Sequence, residues 1–242
     1  MTLFVGTSGW AYREWKPDFY PADVKQKEWL RFYSSTLGAC EINATFYRLQ
    51  STETMERWRD ETSDGFLFSL KMHRRITHSR SIAPDEPRID LLKTFFDHAA
   101  RLGPKLGVVL LQFPPHRVRD DAALDALIAA LPPDRRYAFE FRNETWDHDE
   151  VRGRVAAARG TICLSNTDGK APDSLPPGEL AYVRLRTDEY EESERKAWTE
   201  LLLAEGERRD VFAFAKHEGI PAGNPYGGVG LAKWLAETAA GT

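Results

Sequence analysis

Cysteine is scarce in this chain: there are two in 242 residues, Cys40 and Cys163, far apart and in no C-x-x-C spacing. That leaves no disulfide framework and no zinc-type ligand set, so both are expected as buried free thiols in a reducing compartment. Long apolar runs are missing too, since no stretch approaches the ~18 residues a membrane helix needs. No basic segment with a small-residue cleavage site follows Met1, and the expectation is a cytoplasmic protein without a secretory signal. Positive charge is not in excess: 33 Lys and Arg face 37 Asp and Glu, a net charge of −4. This argues against general attraction to nucleic acid or an acidic membrane surface. Neither G-x-G-x-x-G nor G-x-x-x-x-G-K-[ST] follows the first apolar run, which disfavours a nucleotide-binding doubly wound sheet. No linker, low-complexity tract or internal repeat divides the chain, so one domain over residues 1–242 is expected.

What is present is a regular alternation. Eight short β-type runs are read at residues 3–8, 39–43, 66–72, 106–113, 137–142, 161–166, 181–186 and 211–216, with helical-period segments between them. Ile89, Leu92, Phe96, Ala99 and Leu102 form one apolar stripe, with Gly103 placed to end the helix. Leu124, Leu127, Ile128 and Leu131 form another, stopped by Pro132 and Pro133. Asp147 and Glu150 have the spacing of a capping box. Where a sixth helix is due, residues 167–179 (TDGKAPDSLPPGE) are rich in proline and glycine, and a loop replaces it. Eight strands, seven helices and this length predict an α/β fold, a closed (β/α)8 TIM barrel.

In such a barrel the functional site lies at the carboxyl ends of the strands. Those ends are unusually polar here: Glu41 and Asn43, Lys71 and His73, Gln112, Glu140 and Arg142, Arg184 and Arg186, then Lys216 with His217 and Glu218. A period of two puts each pair on one face. In the fifth run Tyr137, Phe139 and Phe141 suit the sheet–helix layer, which turns Glu140 and Arg142 inward. If all these charges point inward, Glu41 and Glu140 face Lys71, Arg142, Arg184, Arg186 and Lys216. The loop acids Asp168, Asp188 and Glu218, water or a bound anion must offset the excess. A small anion held by paired guanidinium groups is the favoured reading over a purely structural ion network.

The loops above these ends add candidates. Trp10, Tyr12, Trp15, Phe19 and Tyr20 lie in the first, and Phe46 and Tyr47 in the second, where they can stack on a ligand or on one another. The third, with His73, His78, Arg74, Arg75, Arg80 and Arg88, has the length of a lid. The glycine-rich stretch 219–230 precedes a helix and offers backbone amides for a phosphate, or simply a flexible helix entrance. The substrate-binding candidates are therefore Trp10, Asn43, Tyr47, His78, Gln112, Arg142, Trp146, Arg184, Arg186 and Lys216.

Several stretches carry a resemblance over essentially the whole chain. They are GTSGW at Gly6 to Trp10, with Trp15 and FYP at Phe19 to Pro21; EINATFYR at Glu41 to Arg48; Lys71 with ITH at Ile76 to His78; LLQFPP at Leu110 to Pro115; FEFRNETW at Phe139 to Trp146; and YVRLR at Tyr182 to Arg186. With these the sequence resembles the YecE-like domain-of-unknown-function family. The resemblance implies a TIM barrel, loosely grouped with sugar-isomerase-like barrels. The chain departs from one common family pattern in having Arg186 and Thr187 where His and Gly follow YVRL. It also has KHEG at Lys216 to Gly219 where many members carry paired asparagines.

Three function classes fit these residues. The first is an enzyme acting on a small anionic (phosphorylated or carboxylated) or sugar-like substrate, with Glu41 and Glu140 in acid/base roles and Lys71 as electrophile or proton donor. A Schiff base on Lys71 ranks lower, because a lysine beside carboxylates stays protonated. Glycoside hydrolysis ranks lower too, because strands two and five are not neighbours. The second class is divalent-metal chemistry through Glu41, Glu140, His73 and His217, disfavoured by the surrounding bases. The third is a non-catalytic module holding an anionic metabolite. The cofactor is left open and no metal site is assigned. Nucleic acid and membrane are disfavoured as partners, and the oligomeric state is left open, with a monomer compatible with the sequence.

Overall fold

The computed structural model of the protein describes residues 2–241. Nine parallel strands form one sheet: β1 (Leu3–Thr7), β2 (Ala39–Ile42), β3 (Leu67–Lys71), β4 (Leu106–Phe113), β5 (Tyr137–Phe141), β6 (Gly160–Ile162), β7 (Leu164–Asn166), β8 (Leu180–Leu185) and β9 (Asp210–Ala215). Their order is β6-β5-β4-β3-β2-β1-β9-β8-β7. Because β6 and β7 are consecutive parts of the sixth run, the order returns on itself and the sheet is a nearly closed TIM-like barrel. The sixth run is split at Cys163: β6 pairs with β5, β7 pairs with β8, and the Cys163 N–H still donates to Phe139 O at 2.9 Å. A strand this short changes partner instead of spanning both neighbours along its length.

Among the described residues seven helices of eight or more residues cover the outside: α1 (Trp29–Thr36), α2 (Thr52–Glu61), α3 (Glu86–Ala99), α4 (Asp121–Ala129), α5 (Asp149–Ala157), α6 (Glu192–Arg208) and α7 (Gly228–Ala240). Residues 167–179 form a loop without a helix, as their prolines require. One detail of the expected capping differs. Helix α5 is capped by His148, whose Nδ1 accepts from Glu150 N at 3.3 Å, while Asp147 instead pairs with Arg152. No helix is long and apolar enough to cross a membrane among the described residues.

The predicted facing of the strands holds. Val109, Leu111, Phe113, Tyr137 and Phe139 belong to the layer between sheet and helices. A separate cluster of Ala39, Val108, Leu110, Ala138, Cys163, Leu180, Tyr182, Phe212 and Phe214 fills the interior. The alternation that buries an aromatic outside therefore sends its polar neighbour inward.

The β1–β2 pairing is short, joining Gly6 to Ala39 and Thr7 to Cys40. The phenol of Tyr33 supplements it, accepting from Thr7 N at 2.8 Å and donating to Ala39 O at 3.0 Å. At Gly6 a Cβ would lie 1.8 Å from Ala39 O, so this approach requires glycine. Tyr33→Phe should strand buried backbone partners and lower unfolding free energy in urea by about 1–3 kcal/mol. An unchanged urea midpoint would show that the phenol adds nothing to the ladder.

Candidate functional site

The polar strand ends meet at the carboxyl side of the barrel. Arg184 on β8 lies across the interior between carboxylates from β2 and β5. Its Nη2 donates to Glu41 Oε1 at 2.9 Å and its Nη1 to Glu140 Oε2 at 2.6 Å. All three residues are buried, at 2%, 0% and 1% exposure. Glu41 also accepts from Ser8 Oγ (2.9 Å) and Tyr182 Oη (2.9 Å), and Ser69 Oγ lies 2.7 Å from the same phenol. Glu140 also accepts from Gln112 Nε2 (2.8 Å) and Arg142 Nε (2.8 Å). Both carboxylates are thus saturated with donors, the condition under which buried charges are tolerated.

Electrostatics follow from this packing. Burial opposes the charge of Glu140, yet Arg184 and then Arg142 overcome it and hold the carboxyl down to about 2. Burial likewise works against Glu41, while Arg184, Arg186 and Lys71 keep its pKa below the ordinary value. Arg184 keeps its proton despite burial because Glu41 and Glu140 raise its pKa.

Lys71 is different. Its Nζ donates to Gln112 Oε1 at 2.7 Å and lies 4.3 Å from the centre of the Phe46 ring. Burial, followed by repulsion from Arg184, lowers its pKa to about 8. Arg186 donates from Nη1 to Ser8 Oγ at 3.1 Å, and burial and Arg184 lower its pKa. Among the described residues neither Lys71 nor Arg186 forms an ion pair, whereas Arg142 pairs with Glu140 and Lys216 with Asp188. Two carboxylates thus face four cations, Arg184, Arg142, Lys71 and Arg186, a surplus of two. The surplus is one smaller than the strand ends alone suggest, because the loop acid Asp188 takes Lys216.

The remaining candidates divide between the mouth and the packing around it. Phe46 meets both Tyr47 and His78 edge-on, at 5.0 and 4.9 Å, and Tyr47 is 68% exposed. Burial, Lys71 and Arg142 push His78 down to about 4, so its imidazole is neutral at pH 7. Asn43 begins the short helix Ala44–Tyr47 with its Oδ1 buried and unpartnered. Trp10 packs edge-on against Trp58 at 5.2 Å. Trp146 is stacked on Phe141 at 4.5 Å and donates from Nε1 to Arg117 O, on the helix side of β5 and away from the ion network. His73 caps the turn Arg74–Thr77 through Nδ1. The expected lid is tied down: Arg88 donates to Ser81 O and Ala83 O, and Arg117 to Ser79 O and Arg80 O. In the glycine-rich stretch, a Cβ at Gly227 would lie 2.1 Å from Asp188 O, so close backbone packing accounts for that glycine.

Among the described residues no three His, Cys, Asp or Glu side chains come together as a possible metal set. Ser8, Ser69 and Tyr182 also belong to the network, although they are not among the residues expected from the sequence. Tyr182 stands two residues before Arg184 on the same face, and that spacing was the available signal. A cavity of about 650 Å³ adjoins the network at Arg142. It is lined by Phe141, Trp146, Leu164 and Leu175 on the outer side, where the sixth helix is missing.

A nearly closed parallel barrel with a charged cluster at its strand ends defines the class. The chain belongs to the DUF72 family, described as "Protein of unknown function DUF72", which matches residues 4–239. It is similar to the UPF0759 protein YunF of Bacillus subtilis, 29% identical over 152 residues that cover 60% of this chain and 52% of YunF. It is also similar to the UPF0759 protein YecE of Escherichia coli, 27% identical over 142 residues that cover 58% of this chain and 48% of YecE. The matched segments thus span about half the length of these curated relatives. Two crystal structures share the fold. A DUF72 family protein of Thermotoga maritima has TM-score 0.74 and 19% identity, with all of both chains covered. One of Enterococcus faecalis has TM-score 0.74 and 13% identity, covering 100% of this chain and 96% of the other.

The depressed pKa of Glu140 links this network to stability. A carboxyl lowered from 4.5 to about 2 on folding contributes stability that is complete above pH 4.5 and is lost as pH falls towards 2. Glu140→Gln should cost about 3–5 kcal/mol at pH 7 by leaving buried cations short of charge. It should also make urea stability fall less steeply between pH 5 and 3 than in the wild type. Equal slopes for the two proteins would remove Glu140 from the acid response.

Proposed function

We propose that the barrel mouth binds a small anionic molecule, phosphorylated or carboxylated, and acts on it as an enzyme. The observation that carries this reading is the pair of cations without a carboxylate partner, Lys71 and Arg186, beside a network in which Arg184 is already matched. An unmatched, largely buried cation is costly, and a bound anion offsets that cost. Arg186 supplies guanidinium donors suited to phosphate or carboxylate, with Arg142 at the rim. Phe46 and the exposed Tyr47 offer ring faces for the uncharged part of the ligand, including a sugar-like one. Glu41 and Glu140 each accept three hydrogen bonds and both have lowered pKa values, which suits them to fixing Arg184 rather than to exchanging protons. Lys71 is the group at the mouth whose proton is labile near neutral pH.

The test is sulfate binding, because sulfate does not titrate between pH 7 and 9. Lys71→Met and Arg186→Gln should each weaken it about tenfold or more, the value of one charge-assisted hydrogen bond. As pH rises through about 8, Lys71 loses its proton and its charge. Sulfate affinity should therefore fall between pH 7 and 9 in the wild type, and Lys71→Met should lose that dependence. Calorimetry showing no sulfate binding, or binding indifferent to both substitutions, would remove the basis for an anion site. Turnover in a screen of phosphoesters, sugar phosphates and lactones separates an enzyme from a module that only binds.

A further inference from the structure

The surroundings of Lys71 are those of a reactive amine rather than of a structural cation. Thr45 Oγ1 donates to Lys71 O at 2.7 Å and pins the backbone where the side chain enters the mouth. Gln112 stands between Lys71 and the nearby Glu140. A carboxylate only accepts, so Gln112 must turn its amide N–H towards Glu140 Oε2 (2.8 Å), which leaves its carbonyl Oε1 for Lys71 Nζ (2.7 Å). The negative charge of Glu140 is itself committed to Arg184 and Arg142. Lys71 therefore has one neutral acceptor and an aromatic face, and it is 9% exposed. Lys216 at the same end of the barrel, paired with Asp188, lacks this insulation.

We infer that Lys71 captures the carbonyl carbon of an anionic aldehyde or ketone, such as a 2-oxo acid or a phosphorylated carbonyl compound, as a Schiff base. This rests on the anion reading above only for how the substrate is held. The neutral amine donates its lone pair to the carbonyl carbon, and the carbonyl oxygen takes up a proton to give a carbinolamine. Loss of that oxygen as water leaves the iminium. Overall, ammonium and carbonyl become iminium and water, with no net change in protons or charge and no oxidant or reductant. Burial and Arg184, which bring the Lys71 pKa to about 8, keep enough free amine near neutrality for the first step. The iminium keeps the positive charge beside the carboxylates, where the ammonium had been.

The test uses the wild-type chain with pyridoxal 5′-phosphate as an anionic aldehyde and pyridoxal as its counterpart without phosphate. Each is followed by borohydride reduction and peptide mass mapping. The expected result is an adduct on Lys71 that forms at least tenfold faster at pH 8 than adducts on the exposed Lys93 and Lys196. Sulfate should slow the reaction with the phosphate aldehyde. Labelling of Lys71 no faster than of Lys93 overturns the proposal. If sulfate binds as expected at the same time, the anion reading survives that failure. Rapid labelling of Lys71 by both aldehydes, without protection by sulfate, supports the amine and removes the anion reading instead.

Discussion

The guanidinium of Arg184 holds together two carboxylates from strands that do not touch. Glu41 is on β2 and Glu140 on β5, with β3 and β4 between them. Arg184 reaches both from β8 on the far side of the barrel. Beneath it the interior is apolar, filled by Tyr182, Phe212 and Phe214 with Phe4 stacked on Phe212. Water is thereby excluded from one side of the ion group, and the buried charges of Arg184, Glu41 and Glu140 compensate one another across the barrel. The remaining donors and acceptors near the mouth are arranged around that requirement.

Saturating the carboxylates has a consequence for the cations that remain. Glu140 has its oxygens occupied by Arg184, Arg142 and Gln112, and Glu41 by Arg184, Ser8 and Tyr182. Apart from Lys216, which reaches the loop acid Asp188, the further cations at the mouth are left with neutral acceptors, Lys71 on Gln112 and Arg186 on Ser8. Removing Arg184 would free two carboxylates, and both cations would then have somewhere to pair. The positive surplus is thus produced by the same contact that secures the barrel interior.

Much of this was legible in the sequence because it rests on periodicity. The spacing of Tyr137, Phe139 and Phe141 against Glu140 and Arg142 fixes which face each occupies, and the same rule placed Glu41, Lys71, Gln112, Arg184 and Arg186 at one end. The prolines of 167–179 announced the missing helix. Pairing was not legible, because it depends on which strands lie opposite across the barrel. Arg184 is expected to offer donors to a ligand, and in the structure each of its terminal nitrogens donates to a carboxylate. Gln112 is expected as a binding residue, but its place between Lys71 and Glu140 depends on neighbouring strands and not on spacing within its own. Trp146 follows a strand that ends at the mouth, but the turn after β5 folds it back onto Phe141. The division of the sixth run at Cys163 had no sequence signal, since Ile162, Cys163 and Leu164 are equally apolar.

That division and the missing helix belong together. A helix between β6 and β8 would cover the seam where the sixth run changes partner, and in its place the loop leaves a cavity floored by Phe141, Ile162, Cys163 and Leu164. Cys163 also belongs to the interior cluster, so the barrel wall at this point is one residue thick. Arg142 stands at the upper edge of the cavity with its Nε held by Glu140 and its side chain 44% exposed. It is the residue through which the ion network meets the open flank. Elsewhere the mouth is bounded by packed aromatics, Phe46 over Lys71 and Tyr12 over His217 at 4.3 Å. The lining of this cavity includes Arg142 but neither Lys71 nor Arg186, so the irregular sixth unit opens the flank beside the ion network rather than the mouth itself.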